Sequence, residues 1–342
     1  MSVSFEHPNL GLTLRQESLE LLQAGLVGAD PYRAVRRAVE VSGDRMTVGE
    51  EVYDLSALNN IYLVGAGKAA APMARAIEDL LEGRLGDGVI AVKDGYTAPT
   101  SSVAVGEASH PFPDRRSIKA ARAITHIADV ALEDDLVLCL ISGGGSSVVE
   151  LPAGQLELED IRQTTAALLA SGLSIGEINA VRKHLSSVKG GRLAELIAPA
   201  RHLTITVSDV VGDRLDAIAS GPTAPDPTTY EDALEILDRA DLGGRVPSAV
   251  IEHLEAGRDG EYEETPDEEE ATFQRAQSTI VSSRTDAVEA VRKGAVGSGY
   301  NPHLVTTEME GEAREVGRRV VEKVGRVLRE GEPVPAPACL LW

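Results

Sequence analysis

The chain reads as an α/β protein: a Rossmann-like parallel-sheet N-terminal domain with a second, incomplete α/β domain after it. Three observations carry this reading. Short apolar runs alternate with longer helical patterns, the rhythm of parallel strands joined by crossover helices. Those runs are continuous rather than alternating, as strands covered on both faces are. At 342 residues the chain is also long enough for two cores.

In chain order, the strand in "NIYLVGAG" leads into a helix in "KAAAPMARAIEDLLEG". The strand "GVIAVKDG", the helix "DRRSIKAARAITHIADVA" and the strand "DLVLCLISGGG" follow. Helices in "LEDIRQTTAALLASG" and "SIGEINAVRKHLSSVKGGRLAELI" precede a strand in "HLTITVSDVVG". This pattern defines a first domain over 1–254. Residues 255–272 are acidic, turn-rich and poor in apolar side chains, and are expected to form a solvated linker. Residues 273–342 repeat strand, helix, strand, helix, then end in "PAPACLLW", which begins like a buried strand and stops. An apolar edge without turn or charge is a poor natural terminus, so this domain is expected to be partial.

Composition narrows the function. Asp and Glu number 54 against 33 Lys and Arg, a formal charge of -21, which argues against nucleic acid and anionic membranes as partners. Seven of the basic residues are lysine, and such scarcity beside abundant carboxylates is the mark of a halophilic surface, where salt screens self-repulsion. Cys139 and Cys339 provide neither a disulfide framework nor metal-knuckle spacing and read as small hydrophobes. The N-terminal stretch shows no basic-then-apolar leader, and no apolar run is long enough for a bilayer, so the expected compartment is the cytoplasm.

Five stretches could carry chemistry. Gly65 and Gly67 satisfy a dinucleotide-type glycine fingerprint with Ala70, yet Lys68 sits inside the turn, where it adds a full charge to amides that already favour an anion. Gly143, Gly144, Gly145, Ser146 and Ser147 follow a buried strand, where successive amides and two hydroxyls can form a phosphate nest. Asp209 ends the next strand, and Asp213 and Asp216 follow in its loop, a placement suited to Mg²⁺ arriving with a nucleoside triphosphate. In "INAVRKHLSSVKGGRL", helical spacing puts Ile178, Val181, Leu185 and Val188 on one stripe and Asn179, Arg182, Ser186 and Lys189 on the next. Arg182, Lys183, Lys189 and Arg192 make this a basic island in an acidic chain. His110, in a proline-bounded loop before the N-cap Asp114, can face a ligand or serve the loop itself.

Taken together and in order, "GAGKAA", "SHPFPD", "SGGGSS", "INAVRKHLSSVKGGRLA" and "SDVVGDRLDAIASGPTAPD" resemble the type II glycerate kinases, the glycerate 2-kinase family with a C-terminal MOFRL domain, from about Leu19 onward. The resemblance implies ATP-dependent, Mg²⁺-assisted phosphorylation of D-glycerate to 2-phosphoglycerate on two α/β domains. It implies that Lys68 is the active-site lysine and that Gly143 to Ser147 form the phosphate loop. Asp209 and Asp213 fall on its motif positions as catalytic or metal-holding acids; Lys189 and Arg182 fall on motif positions too, Lys189 going with the nucleotide. Gly65 and Gly67 go with the nucleotide, and His110, Arg182 and Asn179 with the substrate. Arg214 departs from a second acid that many members carry, which weakens a two-carboxylate metal site. Family members also continue past "ACLLW" through glycine-rich segments and a functional arginine, so the expectation is a truncated chain with impaired turnover. Two other readings stand beside it: an NAD(P)H-dependent hydroxypyruvate reductase, with Asp94 as the ribose acid, and an inactive ligand-binding product. The resemblance leaves a homodimer open.

Overall fold

The structure is a computed structural model that describes residues 12–309 and 311–342. The residues before Leu12, on which the absence of a leader was partly read, lie outside the described residues.

The elements run α1 (Leu12–Gly28), α2 (Pro31–Ala38), β1 (Val39–Ser42), β2 (Arg45–Val48), β3 (Glu51–Asp54), β4 (Ile61–Ala66), α3 (Ala70–Leu81), β5 (Asp87–Lys93) and β6 (Ala104–Ala108). They continue with α4 (Arg115–Val130), β7 (Leu136–Ser142), α5 (Gly145–Val148), α6 (Leu158–Leu169), α7 (Ile175–His184), α8 (Arg192–Ile197) and β8 (Arg201–Val207). The last are α9 (Tyr230–Arg239), α10 (Ser248–Arg258), β9 (Ala276–Ser282), α11 (Arg284–Gly297), β10 (Asn301–Leu304), α12 (Ala313–Glu330) and β11 (Ala338–Leu341). None of the described helices is long and apolar enough to cross a membrane.

The chain divides into two compact units. One, Val35–Val281, holds a six-stranded sheet of order β6-β5-β4-β7-β8-β9, parallel at each pairing from β6 to β8. The order leaves β4 with β5 on one side and β7 on the other, which makes the β4/β7 boundary a topological switch point. Every residue of β7 is buried, in keeping with its unbroken apolar run. Val64, Val137 and Cys139 pack under Ala121, Ile124 and Ala128 of α4. A second cluster joins Leu168, Val181, Leu237 and Leu254 of α6, α7, α9 and α10. The other unit, which among the described residues takes in 12–34 and Ser282–Trp342, contains α1, α11, α12 and the parallel pair β10-β11.

Three expectations change. The strand at 276–282, assigned by sequence to the second domain, is the sixth strand of the main sheet, beside β8. Periodicity marks a strand but not the sheet it joins. The helix expected across 174–197 stops at His184 and resumes at Arg192. Between them the Ser187 N–H donates to the Leu151 carbonyl (2.8 Å), and Gly190 and Gly191, both at positive φ, donate to the carbonyls of Ser220 and Gly221 (3.0 and 2.7 Å). The single polar stripe read on that helix therefore does not exist beyond Arg182. Finally, the acidic stretch 255–272 is not a simple solvated connection. Thr265 is buried, and the Glu264 carboxylate accepts from the Tyr230 N–H at the start of α9 (3.1 Å).

Candidate active site

Two loops leave the carboxyl ends of the neighbouring strands β4 and β7 and are sewn together by backbone bonds. The Lys68 N–H donates to the Gly143 carbonyl (2.9 Å) and the Ala69 N–H to the Ser142 hydroxyl (3.0 Å). Gly67 makes this possible: it adopts φ 122°, and a Cβ there would strike the Ser142 carbonyl and hydroxyl. Gly65 has a different job. It lies inside β4, where a Cβ would meet the Leu140 carbonyl oxygen of β7 at 2.7 Å. It is a sheet-packing glycine, not the cofactor-binding residue its fingerprint suggested, because it sits inside the strand and not in the turn.

The Gly143–Gly144 peptide is where the charged groups meet. A Cβ on Gly143 would overlap the Asp209 carboxylate. One on Gly144, at φ 84°, would lie 3.1 Å from Lys68 Cε and 3.2 Å from His110 Cδ2. The ammonium stem of Lys68, the His110 imidazole and the Asp209 carboxylate thus surround two adjacent glycines, and any side chain there would exclude them. Among the described residues no carboxylate comes within ion-pair distance of Lys68. Burial pushes the His110 pKa below its ordinary range, and the positive charges of Lys68, Lys93 and Arg182 push it further, with Asp209 alone opposing them. His110 is therefore neutral near pH 7 in a locally electropositive pocket, within a chain of charge -21.

Arg182, at the end of α7, donates from Nη2 to the Ser146 carbonyl (3.0 Å). Its Nε is buried with no partner among the described residues, and desolvation weakens its hold on the proton. The hydroxyls of the glycine-rich turn are engaged internally. Ser147 donates to the Gly144 carbonyl (3.2 Å), and Ser146 lies 2.7 Å from Ser220 Oγ. Asn179, expected to touch substrate, is buried and donates from Nδ2 to the Ala217 carbonyl (3.1 Å), while its Oδ1 accepts from the Ser220 hydroxyl (3.0 Å). It supports the turn from behind. Ser220 was missed by sequence reasoning; the SGP triplet that contains it is the one signal that a tight turn lies there.

Lys189 moves out of the site altogether. It is almost fully buried, with Nζ 2.5 Å from Glu150 Oε2 and further bonds to the Val149 carbonyl and Ser186 Oγ. Burial pushes its pKa down to about 8 against the pull of Glu150. An ammonium committed in this way cannot also clamp a phosphate. Lys183 is similarly tied to Asp226 (3.0 Å) and Asp216 (3.5 Å), so Asp216 belongs to a buried ion cluster. Asp213 is half-buried at φ 52°, and its Oδ1 has no partner among the described residues. No cluster of three or more His, Cys, Asp or Glu among the described residues could hold a metal on its own. A cleft of 890 Å³ opens beside Asp213, Asp216 and Asp226, lined also by Thr223 and Phe273. Lys68 and the glycine-rich turn are not on its walls.

Residues 17–255 match a family model described as a domain of unknown function, DUF4147. A glycerate 2-kinase from Pyrococcus horikoshii is 41% identical over 333 residues, which cover 97% of this chain and 74% of that one. The crystal structure of a glycerate kinase from Thermotoga maritima superposes with a TM-score of 0.79 at 35% identity, covering 96% of this chain and 73% of that one. A relative from Agrobacterium vitis, 41% identical over 82% of this chain and 61% of its own length, carries the provisional name hydroxypyruvate reductase. The matches take in almost the whole of this chain and about three quarters of each of these kinase relatives, and the two glycine turns lie inside the matched residues, so the chain belongs to the glycerate 2-kinase family.

Proposed function

We propose that the protein transfers the γ-phosphoryl group of ATP to D-glycerate, giving 2-phosphoglycerate. The observation that carries this is the convergence of Lys68, His110 and Asp209 on the Gly143–Gly144 peptide, with Arg182 on the next residue but one. Phosphoryl transfer needs little covalent chemistry from the protein and much charge neutralisation and alignment. Lys68 and Arg182 supply fixed positive charge for phosphate and carboxylate oxygens. Neutral His110 donates or accepts a hydrogen bond without adding charge. Asp209, against the turn, takes the proton that leaves the attacking hydroxyl.

Magnesium fits this arrangement as a guest of the nucleotide. Asp213 has a buried oxygen in want of a partner, Asp209 is exposed, and Mg²⁺ commonly takes one or two carboxylates and fills the rest of its shell with water and phosphate. When bound it neutralises charge on the phosphate oxygens. The dinucleotide reading loses both of its anchors. Gly65 is a packing residue within β4, and Asp94 is engaged by Arg116 in two bonds of 2.5 and 2.9 Å.

The test is a pair of assays on the same purified protein: D-glycerate with Mg·ATP, and hydroxypyruvate with NADH. Turnover in the first and none in the second is expected. NADH oxidation without ATP-dependent phosphorylation would overturn the assignment.

A further inference from the structure

The hydrogen-bond chain behind the glycine-rich turn fixes which way each proton points. The Ala217 carbonyl can only accept, so the group of Asn179 that faces it is the amide nitrogen, and Asn179 Oδ1 faces Ser220. The single proton of Ser220, a fully buried residue, then goes to Asn179. At the 2.7 Å contact between Ser220 and Ser146 one hydroxyl must donate, and Ser220 has no second proton. Ser146 therefore donates inward, and its lone pairs, not its proton, are what the half-exposed residue offers the site. Ser147, whose proton goes to the Gly144 carbonyl, is likewise spent. Neither hydroxyl of the turn has a proton for a phosphate oxygen, contrary to the reading of the turn as a nest with two hydroxyl donors.

We propose that Ser146 is a specificity-determining residue that accepts a hydrogen bond from the non-reacting hydroxyl of the hydroxy-acid substrate, with Asn179 and Ser220 as positioning residues that set its polarity. This rests on the glycerate kinase reading above. The reacting hydroxyl goes to the stronger acceptor, the Asp209 carboxylate on the other side of Gly143, and a neutral lone pair suits the hydroxyl that keeps its proton. The site thereby recognises a dihydroxy acid over a monohydroxy acid of the same charge. A phosphate oxygen, which brings no proton, gains nothing from Ser146.

The discriminating experiment compares D-glycerate with D-2-hydroxypropanoate, which lacks the second hydroxyl, in the parent protein and in Ser146→Ala and Ser220→Ala. Loss of one neutral, half-exposed hydrogen bond should raise KM for glycerate about tenfold in Ser146→Ala, leave KM for ATP unchanged, and leave kcat/KM for 2-hydroxypropanoate unchanged. Ser220→Ala frees the Ser146 proton to turn outward and should lower the glycerate preference by a smaller factor, with a lower melting temperature because the buried Asn179 Oδ1 loses its donor. This second variant keeps the test open if Ser146→Ala does not fold. A rise in KM for ATP, equal losses on both acids, or no change in either would overturn the proposal. Calorimetric titration of glycerate alone separates the two levels: if the parent binds no glycerate, the functional reading has failed, whereas equal binding by parent and Ser146→Ala defeats only the role of Ser146.

Discussion

Lys68 and Lys189 look alike in sequence and do opposite things in the molecule. Each lies in a glycine-containing turn next to a helix, in a chain with only seven lysines. Lys68 is half-buried beside Gly144 with no acid in ion-pair range among the described residues, so its charge is available to a ligand. Lys189 is buried on Glu150, the third residue after the turn's last serine, and its charge is consumed in holding that segment down. A cation serves a site only when the fold withholds its counter-charge. Residue type and spacing do not reveal that.

The sharpest way to break the comparison is to remove each charge in turn. Lys68→Ala is expected to lower kcat/KM for phosphoryl transfer about 10³-fold, with little change in the denaturation midpoint. Steady-state kinetics beside chemical denaturation measure both, and an activity loss of only a few-fold would mean that Lys68 is as structural as Lys189. Lys189→Met should act in reverse, destabilising the fold by about 3–5 kcal/mol because Glu150 is left charged and buried. The double change Lys189→Met with Glu150→Leu should recover most of that loss, and failure to recover it would show that the pair is not an isolated unit.

The contrast between buried and open groups extends to pH. His202, on β8, is buried, and desolvation pushes its pKa down from 6.5 to about 4. The unfolded chain therefore binds the proton first as pH falls. The stabilising contribution is complete above pH 6.5 and is lost as pH falls through 4, a swing of about 3 kcal/mol at most. His202→Asn should flatten stability across that window, as read by urea unfolding at fixed pH values. His110, whose pKa is lowered first by burial and then by cations that would bind an anion, should instead titrate higher when phosphate is present, which NMR of the imidazole protons can follow. The smallest expected effect separates surface from interior. Raising KCl from about 0.1 M to 2 M shortens the Debye length from about 10 Å to a few ångströms. It should raise the melting temperature of the parent and of Lys189→Met by the same few degrees. A larger gain in the variant would place the buried pair within reach of salt.

Much of this was legible in the chain. Continuous apolar runs marked the starts of β4, β5, β7 and β8 to within a residue, because strands covered on both faces cannot alternate, while the ends of β7 and β8 fell three and five residues short of the stretches read for them. The two glycine turns were legible too, since a run of glycines after a buried strand is costly unless something must approach closely. The sequence by itself therefore determined an α/β sheet with an anion-directed turn at the ends of its strands. Only the tertiary structure decided which groups face that turn. Lys189 and Asn179 were turned inward, Gly65 was assigned to packing, and Ser220 was brought from 74 residues away to Ser146. It also placed β9 in the main sheet and folded the acidic stretch onto α9. The physical reason is the same in each case. Local periodicity and turn chemistry act over a few residues, whereas pairing of a buried charge or hydroxyl depends on groups distant in the chain and brought together by strand order.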